Sequence, residues 1–118
     1  MGKLYLLPNL LGETPIERVI PGDVIHIIKN IKVFATENVK NTRRYLKKID
    51  KAINIDELVF LDLNEHSDIK DIETYLPYLA DQDMGIISEA GCPGIADPGA
   101  ELVALAHKHG YQVIPLVG

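Results

Sequence analysis

Apolar residues along the chain alternate between short continuous runs and stretches in which they recur every three or four residues. The continuous runs predict five β-strands, at residues 3–8, 32–37, 57–63, 84–88 and 111–117. Helical spacing predicts helices over residues 39–53 and 67–80, and boundary residues predict another between Asp97 and Gly110. Residues 21–31 are predicted to form a further short helix, although the run 24–28 would also suit a strand.

Prolines, an aspartate and a glycine mark several of these boundaries. Pro21 lies near the start of the first helix, and Pro77 predicts a kink in the third. Asp97 is predicted to cap the last helix, with Pro98 at its first position. Gly110 is predicted to end that helix.

The alternation of strands and helices predicts the fold class. Right-handed crossovers between successive strands give a mainly parallel sheet with helices on both faces. We therefore predict a three-layer α/β domain with about five strands. Ligands of such folds bind beyond the carboxyl ends of the strands. The candidate site then comprises whatever follows Gly118 and the loops at residues 8–13, 37–41, 62–66 and 89–97.

Length and composition are those of an ordinary globular domain. The 118 residues predict one domain, 47% of them are apolar, and no apolar run approaches the roughly 20 residues of a membrane span. Pro8 and Asn9 interrupt the N-terminal apolar run, so it does not resemble a signal peptide. The single cysteine, Cys92, predicts a reduced, cytoplasmic protein. Because the chain stops directly after an apolar strand, we expect it to be the N-terminal domain of a longer protein.

Charge is distributed unevenly. The net charge is −5, but residues 40–51 hold six basic side chains and one acid, a local balance of +5 that leaves −10 for the rest. A basic helix on an acidic body can bind nucleic-acid phosphates. It can equally be a solvated helix face, and both interpretations remain open.

The stretch GIISEAGCPGIADPG, residues 85–99, is the strongest candidate for chemistry. Its four glycines let the backbone approach a ligand, and it leads into a helix N-terminus that offers free N–H groups to an anion. It matches neither the Rossmann fingerprint nor the P-loop. The residues favour a loop for a nucleotide-like or carboxylate-bearing ligand, with a tight structural crossover as the alternative.

The same stretch carries a resemblance to a known family. SEAGCPGIADPG is similar to the SDAGTPGISDPG signature of the tetrapyrrole methylase superfamily. In the same order along the chain, LYLLPNLLGE resembles the first strand and PTPIGN loop of the RsmI-type branch, FATENVKNTRRYL its AAEDTRHT segment, LDLNEH its DHNE element, and VIPLVG the strand before its GPS/GPC turn. The resemblance covers nearly all of the chain.

This resemblance implies a function. The RsmI-type branch transfers a methyl group from S-adenosylmethionine to a ribose 2′-hydroxyl of small-subunit ribosomal RNA. Its members are two-domain enzymes, usually homodimers, with the methyl donor in the cleft between the domains. Residues 1–118 would be the N-terminal domain, and without the C-terminal domain they would bind the donor weakly and not turn over.

The resemblance also assigns residues position by position. The residues it implies for binding S-adenosylmethionine are Pro8, Gly12, Glu89, Ala90, Gly91, Cys92 and Pro93. Methyl transfer to a hydroxyl needs a base, and the candidates are Glu65, with Asn64 as an orienting amide, and Glu37. For each glutamate the alternative is an exposed carboxylate that caps the following helix. Asn38, Val39 and Lys40 depart from the EDTRHT segment, which makes the substrate less certain than the donor.

The remaining candidates concern the substrate surface and the histidines. The residues predicted to contact RNA phosphates are Lys40, Arg43, Arg44, Lys47 and Lys48. His66 is a possible substrate contact, and His26 is predicted to be a core residue. His107 and His109 are predicted to interact with a helix dipole rather than to bind metal. No metal is predicted.

Two other functions stay open at this point. One is methylation of a tetrapyrrole precursor, although PNLLGE and SEAG differ from the first loop and the GDP-type element usual in those enzymes. The other is a catalytically silent binding domain that keeps the fold and dimerises.

Overall fold

The computed structural model describes residues 1–7, 22–64, 66–87 and 97–116, and for residues 97 and 98 the backbone alone. Its five strands are β1 (Lys3–Leu6), β2 (Val33–Thr36), β3 (Val59–Asp62), β4 (Met84–Ile87) and β5 (Gln112–Pro115). Its α-helices are α1 (Gly22–Lys29), α2 (Val39–Ile49), α3 (Ile69–Tyr75) and α4 (Asp97–Lys108). Two 3₁₀ helices cover Ile55–Glu57 and Leu76–Ala80.

The strands form one sheet in the order β3-β2-β4-β1-β5, and every neighbouring pair is parallel. The prediction of a mainly parallel, roughly five-stranded sheet is therefore confirmed. Strand β4 lies at the centre, where all four of its residues are buried. Its Gly85 lies opposite Phe34 of β2, and a Cβ added there would approach Leu7 Cδ1 to 2.8 Å. Only a glycine leaves room for both side chains.

Alternating residues of each strand point to opposite faces and enter two separate cores. Val33 and Ala35 of β2 join the core under α3 and α4, whereas Phe34 joins the core under α1 and α2. The buried members of the α3–α4 core include Leu4, Ile72, Leu79, Met84, Ile86, Leu102 and Ala106. Those of the α1–α2 core include Tyr5, Leu7, Val24, Ile28, Tyr45, Leu46 and Ile87. This confirms the three-layer arrangement.

Residues 21–31 contain helix α1, so the predicted short helix is confirmed and the alternative strand at residues 24–28 is not formed. Its Val24 and Ile28 are buried at helical spacing. His26 is exposed, so the prediction of a core histidine was wrong. The sequence places His26 two residues from each buried position, about 160–200° around the helix, and this turns its ring to the solvent.

Helix α2 is shorter than predicted, because it ends at Ile49 rather than at residue 53. Asp50 adopts an extended backbone, and its side chain accepts a hydrogen bond from Ala52 N–H at 2.8 Å. Lys47 Nζ then donates to the carbonyl oxygens of Lys51 and Ile53. Ile53 still packs against the core under α1 and α2, so its apolar character reflects burial in a turn rather than in a helix.

The segment predicted as one kinked helix over residues 67–80 is α3 followed by a 3₁₀ helix. Pro77 lies in the first turn of the 3₁₀ helix, where its missing N–H costs nothing. Strand β3 also begins two residues later than predicted, because a 3₁₀ helix ends at Glu57.

Helix α4 ends as predicted. Gly110 has a φ of +81°, and Tyr111 N–H and Gly110 N–H donate to the carbonyls of Ala106 and His107. These are the two hydrogen bonds of a Schellman motif. At the other end, the helix includes Asp97 as its first residue, one position earlier than the predicted first residue, Pro98. No helix in the described ranges has the length and apolar character needed to cross a membrane.

Candidate functional site

The strand order creates a topological switch at the carboxyl edge of the sheet. The chain leaves β2 through α2 on one face towards β3, whereas it leaves β4 through α4 on the other face towards β5. Because β2 and β4 are neighbours, this switch point is where parallel sheets of this kind have their ligand crevice. The predicted site at this edge therefore has a definite centre, at the ends of β2 and β4.

Helix α2 begins at this crevice with a well-defined cap. Asn38 is the N-cap residue, and its side chain accepts a hydrogen bond from Asn41 N–H at 3.0 Å. Thr42 Oγ1 donates to the carbonyl of Asn38 at 3.0 Å, and the hydroxyls of Thr36 and Thr42 lie 2.5 Å apart. Glu37 is half-buried between these anchored residues. The capping alternative for Glu37 is therefore wrong, because its neighbour caps the helix.

The turn after β3 is held mainly by side chains. Asn64 Oδ1 accepts from His66 N–H at 2.8 Å, and Ser67 Oγ accepts from Asn64 N–H at 3.1 Å while donating to the carbonyl of Asp62. The Tyr75 hydroxyl donates to the same carbonyl at 2.5 Å. Burial, followed by the charges of Asp62 and Asp71, raises the pKa of Tyr75, so its phenol keeps the proton it donates. The Asn64 amide is thus held at a defined position, with Nδ2 as its donor.

One backbone hydrogen bond connects these two turns. Leu63 N–H donates to the carbonyl of Thr36 at 2.8 Å and extends the β2–β3 pairing by one step. As a result, Glu37 and Asn64 follow neighbouring strands at one edge, as predicted. Glu65 lies outside the described residues, so its role as a base stays a prediction. The N-cap of α3 is Asp68, in a reciprocal capping box with Asp71.

The predicted donor-binding residues also lie outside the described residues. They are Pro8, Gly12, Glu89, Ala90, Gly91, Cys92 and Pro93. The strands that lead to them, β1 and β4, are neighbours, and Leu7 N–H extends their pairing by donating to Ile86 at 3.0 Å. Leu7 and Ile87, the last described residues before the two predicted donor segments, therefore lie at the carboxyl ends of neighbouring strands.

The five basic residues predicted to contact RNA are all exposed on α2, but they differ in their contacts. The guanidinium of Arg43 lies 5.7 Å from the centre of the Phe60 ring, and Lys47 is bound to the two carbonyls named above. Lys40, Arg44 and Lys48 follow each other at four-residue spacing along the helix, about 6 Å apart. We call these three residues the basic stripe.

The described cavities lie away from this edge. One, of about 280 Å³, lies beside Lys32 and Leu58, which precede β2 and β3. Another, of about 350 Å³, lies beside Leu76, His109 and Tyr111, close to the start of β5. Both are near the amino ends of strands, whereas ligands of parallel sheets bind at the carboxyl ends. The candidate site therefore remains in the loops at the carboxyl ends of the strands and does not include these cavities.

The histidines are exposed wherever the structure describes them. His66 lies in the turn at the candidate site, as predicted, and its backbone N–H holds the Asn64 amide. His107 belongs to the last turn of α4 and His109 follows it, which suits an interaction with the helix dipole. Within the described ranges, no group of three or more His, Cys, Asp or Glu side chains could hold a metal ion.

Sequence reasoning overlooked several residues that organise the site. It gave no role to Thr36, Ser67 or Tyr75. A local signal was available for the caps, since Asn38 and Asp68 are N-cap residue types directly before helical spacing. The hydroxyl pair and the Tyr75 contact join residues on different elements, and no local pattern marks them.

Comparison with known proteins identifies relatives over the whole chain. The protein named ribosomal RNA small subunit methyltransferase I of Synechocystis sp. is 31% identical over 122 residues, covering 100% of this chain and 40% of that protein. Its namesake in Borrelia garinii subsp. bavariensis is 34% identical over 97 residues, covering 80% of this chain and 40% of that protein. The namesake in Escherichia coli O157:H7 is 29% identical over 118 residues, covering 99% of this chain and 38% of that protein.

No family model matches the chain. The names of the relatives favour neither the tetrapyrrole substrate nor the silent binding domain. They agree with the branch that the motifs indicated. The chain is therefore a homologue of the RsmI-type proteins named ribosomal RNA small subunit methyltransferase I, as its motifs predicted, and it spans about two fifths of the length of these relatives.

Proposed function

We propose that this chain is the N-terminal domain of a cytoplasmic, homodimeric methyltransferase. The enzyme transfers a methyl group from S-adenosylmethionine to a ribose 2′-hydroxyl of small-subunit ribosomal RNA. The observation that carries the proposal is the hydrogen bond from Leu63 to Thr36, because it brings the turns of Glu37 and Asn64 to one edge beside the switch point. Homology over the whole chain supports the same function.

The donor would be held by the segments that contain Pro8, Gly12 and residues 89–93. The fit rests on the strands that precede them, since β1 and β4 are neighbours and Leu7 N–H extends their pairing. When bound, S-adenosylmethionine supplies an electrophilic methyl group. The part of this chain is then to hold the ribose in line with that methyl group, and good alignment contributes up to about 7–11 kcal/mol.

The hydroxyl has to lose its proton as the new bond forms, and a positioned carboxylate is suited to accept it. Glu65 is the first candidate for the base, with the neighbouring Asn64 amide as the group that orients the ribose. Because Asn64 Oδ1 is bound to His66 N–H, the Nδ2 amino group is the part of the side chain suited to a ribose oxygen. Glu37, on the neighbouring turn, is the second candidate.

The basic stripe is suited to the RNA backbone. Helix α2 starts at the crevice and runs away from it, so Lys40 lies nearest to the candidate site and Lys48 farthest. Phosphates of a strand laid along the helix would meet Lys40, Arg44 and Lys48 in turn. Arg43 and Lys47 are the other proposed phosphate contacts. Arg43 already lies over the Phe60 ring and Lys47 already donates to two backbone carbonyls, so each would bind a phosphate in addition to that contact.

Calorimetric titration of S-adenosylmethionine into this chain and into the full-length protein tests the proposal, followed by methyl transfer to purified small ribosomal subunits. We expect binding by the full-length protein, much weaker binding by this chain alone, and transfer that depends on Glu65 or Glu37. The matched control replaces Glu101, an exposed residue of α4, by Gln. Absence of binding and of transfer in the full-length protein would reject the proposed function and leave a silent domain of the same fold.

A further inference from the structure

Thr36 and Thr42 form an unusual pair at the candidate site. With 1% and 2% of their surface exposed, they are the only buried polar side chains, apart from core tyrosines, among the residues that the structure describes. Their hydroxyl oxygens lie 2.5 Å apart. An apolar pair of the same shape, such as two valines, would fill this space but would remove the acceptor of Asn38 N–H. The hydroxyls therefore call for a reason beyond packing.

The pair forms a closed ring of hydrogen bonds with Asn38. Asn38 N–H donates to Thr36 Oγ1 at 3.2 Å, and Thr42 Oγ1 donates to the Asn38 carbonyl at 3.0 Å. If Thr36 donates to Thr42, each of the three donors has one acceptor. The ring joins the end of β2 to the first turn of α2.

Glu37 is the residue enclosed by this ring. Its preceding residue, Thr36, is held by the ring and by the Leu63 hydrogen bond, and its following residue, Asn38, is held as the cap of α2. The backbone of Glu37 is therefore constrained from both sides at the switch point. A carboxylate that has to meet a substrate benefits from such a constraint, since small displacements reduce rates strongly.

We propose that the buried hydroxyls of Thr36 and Thr42 are positioning groups, which hold Glu37 in the geometry required for methyl transfer. This inference rests on the proposed function and deepens it, because it makes Glu37 a group that acts on the substrate. Neither threonine touches the substrate. Each acts through the backbone on either side of Glu37.

The test compares Thr42→Val, which keeps the shape and removes the hydroxyl, with Thr42→Ser, which keeps the hydroxyl. Both are made in the full-length protein, and single-turnover methyl transfer to small ribosomal subunits is measured with donor in excess. We expect Thr42→Val to reduce the rate about 10- to 100-fold. Thr42→Ser should stay within about threefold of the wild type, and the affinity for S-adenosylmethionine should be unchanged in both.

A double-mutant cycle with Glu37→Gln separates positioning from general damage. If Thr42 acts through Glu37, Thr42→Val should have little further effect once Glu37 has been replaced. The matched control is Leu46→Ala, which removes a buried side chain from the same helix without touching the ring. It should lower the unfolding temperature but leave the single-turnover rate of the folded protein unchanged.

An unchanged rate in Thr42→Val, or an equal loss with and without Glu37, would overturn the inference. If Thr42→Val does not fold, Thr36→Val removes the opposite hydroxyl and decides the question by the same criteria. Hydrogen exchange of the Asn38 amide adds a measurement that does not need activity, and Thr42→Val should accelerate it more than Leu46→Ala does. A wild type that transfers no methyl group rejects the proposed function, whereas an active wild type with an unaffected Thr42→Val rejects only the positioning role.

Discussion

The guanidinium of Arg43 lies 5.7 Å from the ring centre of Phe60, and the Phe60 ring in turn stacks on Phe34 with 6.1 Å between ring centres. This contact joins the basic face of α2 to β3, the outermost strand on that side of the sheet. An arginine held on an aromatic ring loses less freedom when it binds a phosphate than one that extends into solvent. Arg43 thereby links the charged surface of α2 to the stacked rings of Phe60 and Phe34.

For the basic stripe we predict a strong effect on RNA binding. Replacing Lys40, Arg44 and Lys48 together by Glu in the full-length protein should weaken binding to small ribosomal subunits. It should also reduce the slope of log affinity against log salt by about 2–3, close to 0.7–0.9 per lost phosphate contact. Filter binding between low and moderate salt measures both quantities.

The matched control for the stripe is the triple replacement of Lys3, Lys70 and Lys108 by Glu. These residues are also exposed but lie on other elements, so net charge changes equally while α2 stays intact. If both triple variants lose affinity to the same extent, the effect is one of overall charge and α2 is a solvated face.

For Asp50 we predict a pH-dependent contribution to stability. The hydrogen bond from Lys29, at 2.7 Å, is the largest cause that lowers the pKa of this carboxyl, and the N–H of Ala52 adds to it. Because the pKa is lower in the folded than in the unfolded chain, the stabilisation is present above the unfolded value of about 3.9 and is lost as the pH falls through the folded value.

Urea unfolding of the wild type and of Asp50→Asn over this pH range measures the contribution. The difference in urea midpoint between the wild type and Asp50→Asn should be constant near neutral pH and should shrink below about pH 4. Asp56→Asn is the control, as an exposed aspartate on the neighbouring 3₁₀ helix. A difference that does not change with pH would show that the Asp50 carboxylate adds nothing by its charge.

For Asp68 we predict the loss of a helix cap. Asp68→Ala removes the acceptor for Asp71 N–H at 2.9 Å and leaves only the longer bond, at 3.4 Å, from the backbone N–H of residue 68 to the Asp71 carboxylate. The free energy of unfolding should fall by about 1 kcal/mol, whereas Asp68→Ser should retain most of it. Glu101→Ala, on the exposed side of α4, is the control. Chemical denaturation would contradict the prediction if Asp68→Ala and Glu101→Ala had equal stability.

For Gly110 we predict a backbone effect without a steric one. Its φ of +81° disfavours any residue with a Cβ, although nothing lies within 4 Å of the position a Cβ would take. Gly110→Ala should therefore cost about 1–2 kcal/mol. Gly22→Ala is the matched control, because that site is equally open and lies in a helix. It should be neutral or slightly stabilising.

Local sequence patterns were sufficient for the elements and their layers. The continuous apolar run predicted β2, all of whose residues are buried, and helical spacing distinguished α3 from the strands. These patterns report burial, and burial follows directly from the periods of strand and helix. The ends of elements were less predictable, as at α2, because the Asp50 turn and the Lys47 contacts compete with continued helix.

What the sequence determined by itself is the alternation of strands and helices, the apolar face of each element and the motifs at the strand ends. Each is encoded by residues close together in the chain. What only the tertiary structure decided is the strand order, and with it the crevice between β2 and β4, the ring of Thr36, Asn38 and Thr42, and the placement of Arg43 on Phe60. These features join residues on separate elements, and their free energy appears only once the sheet has assembled.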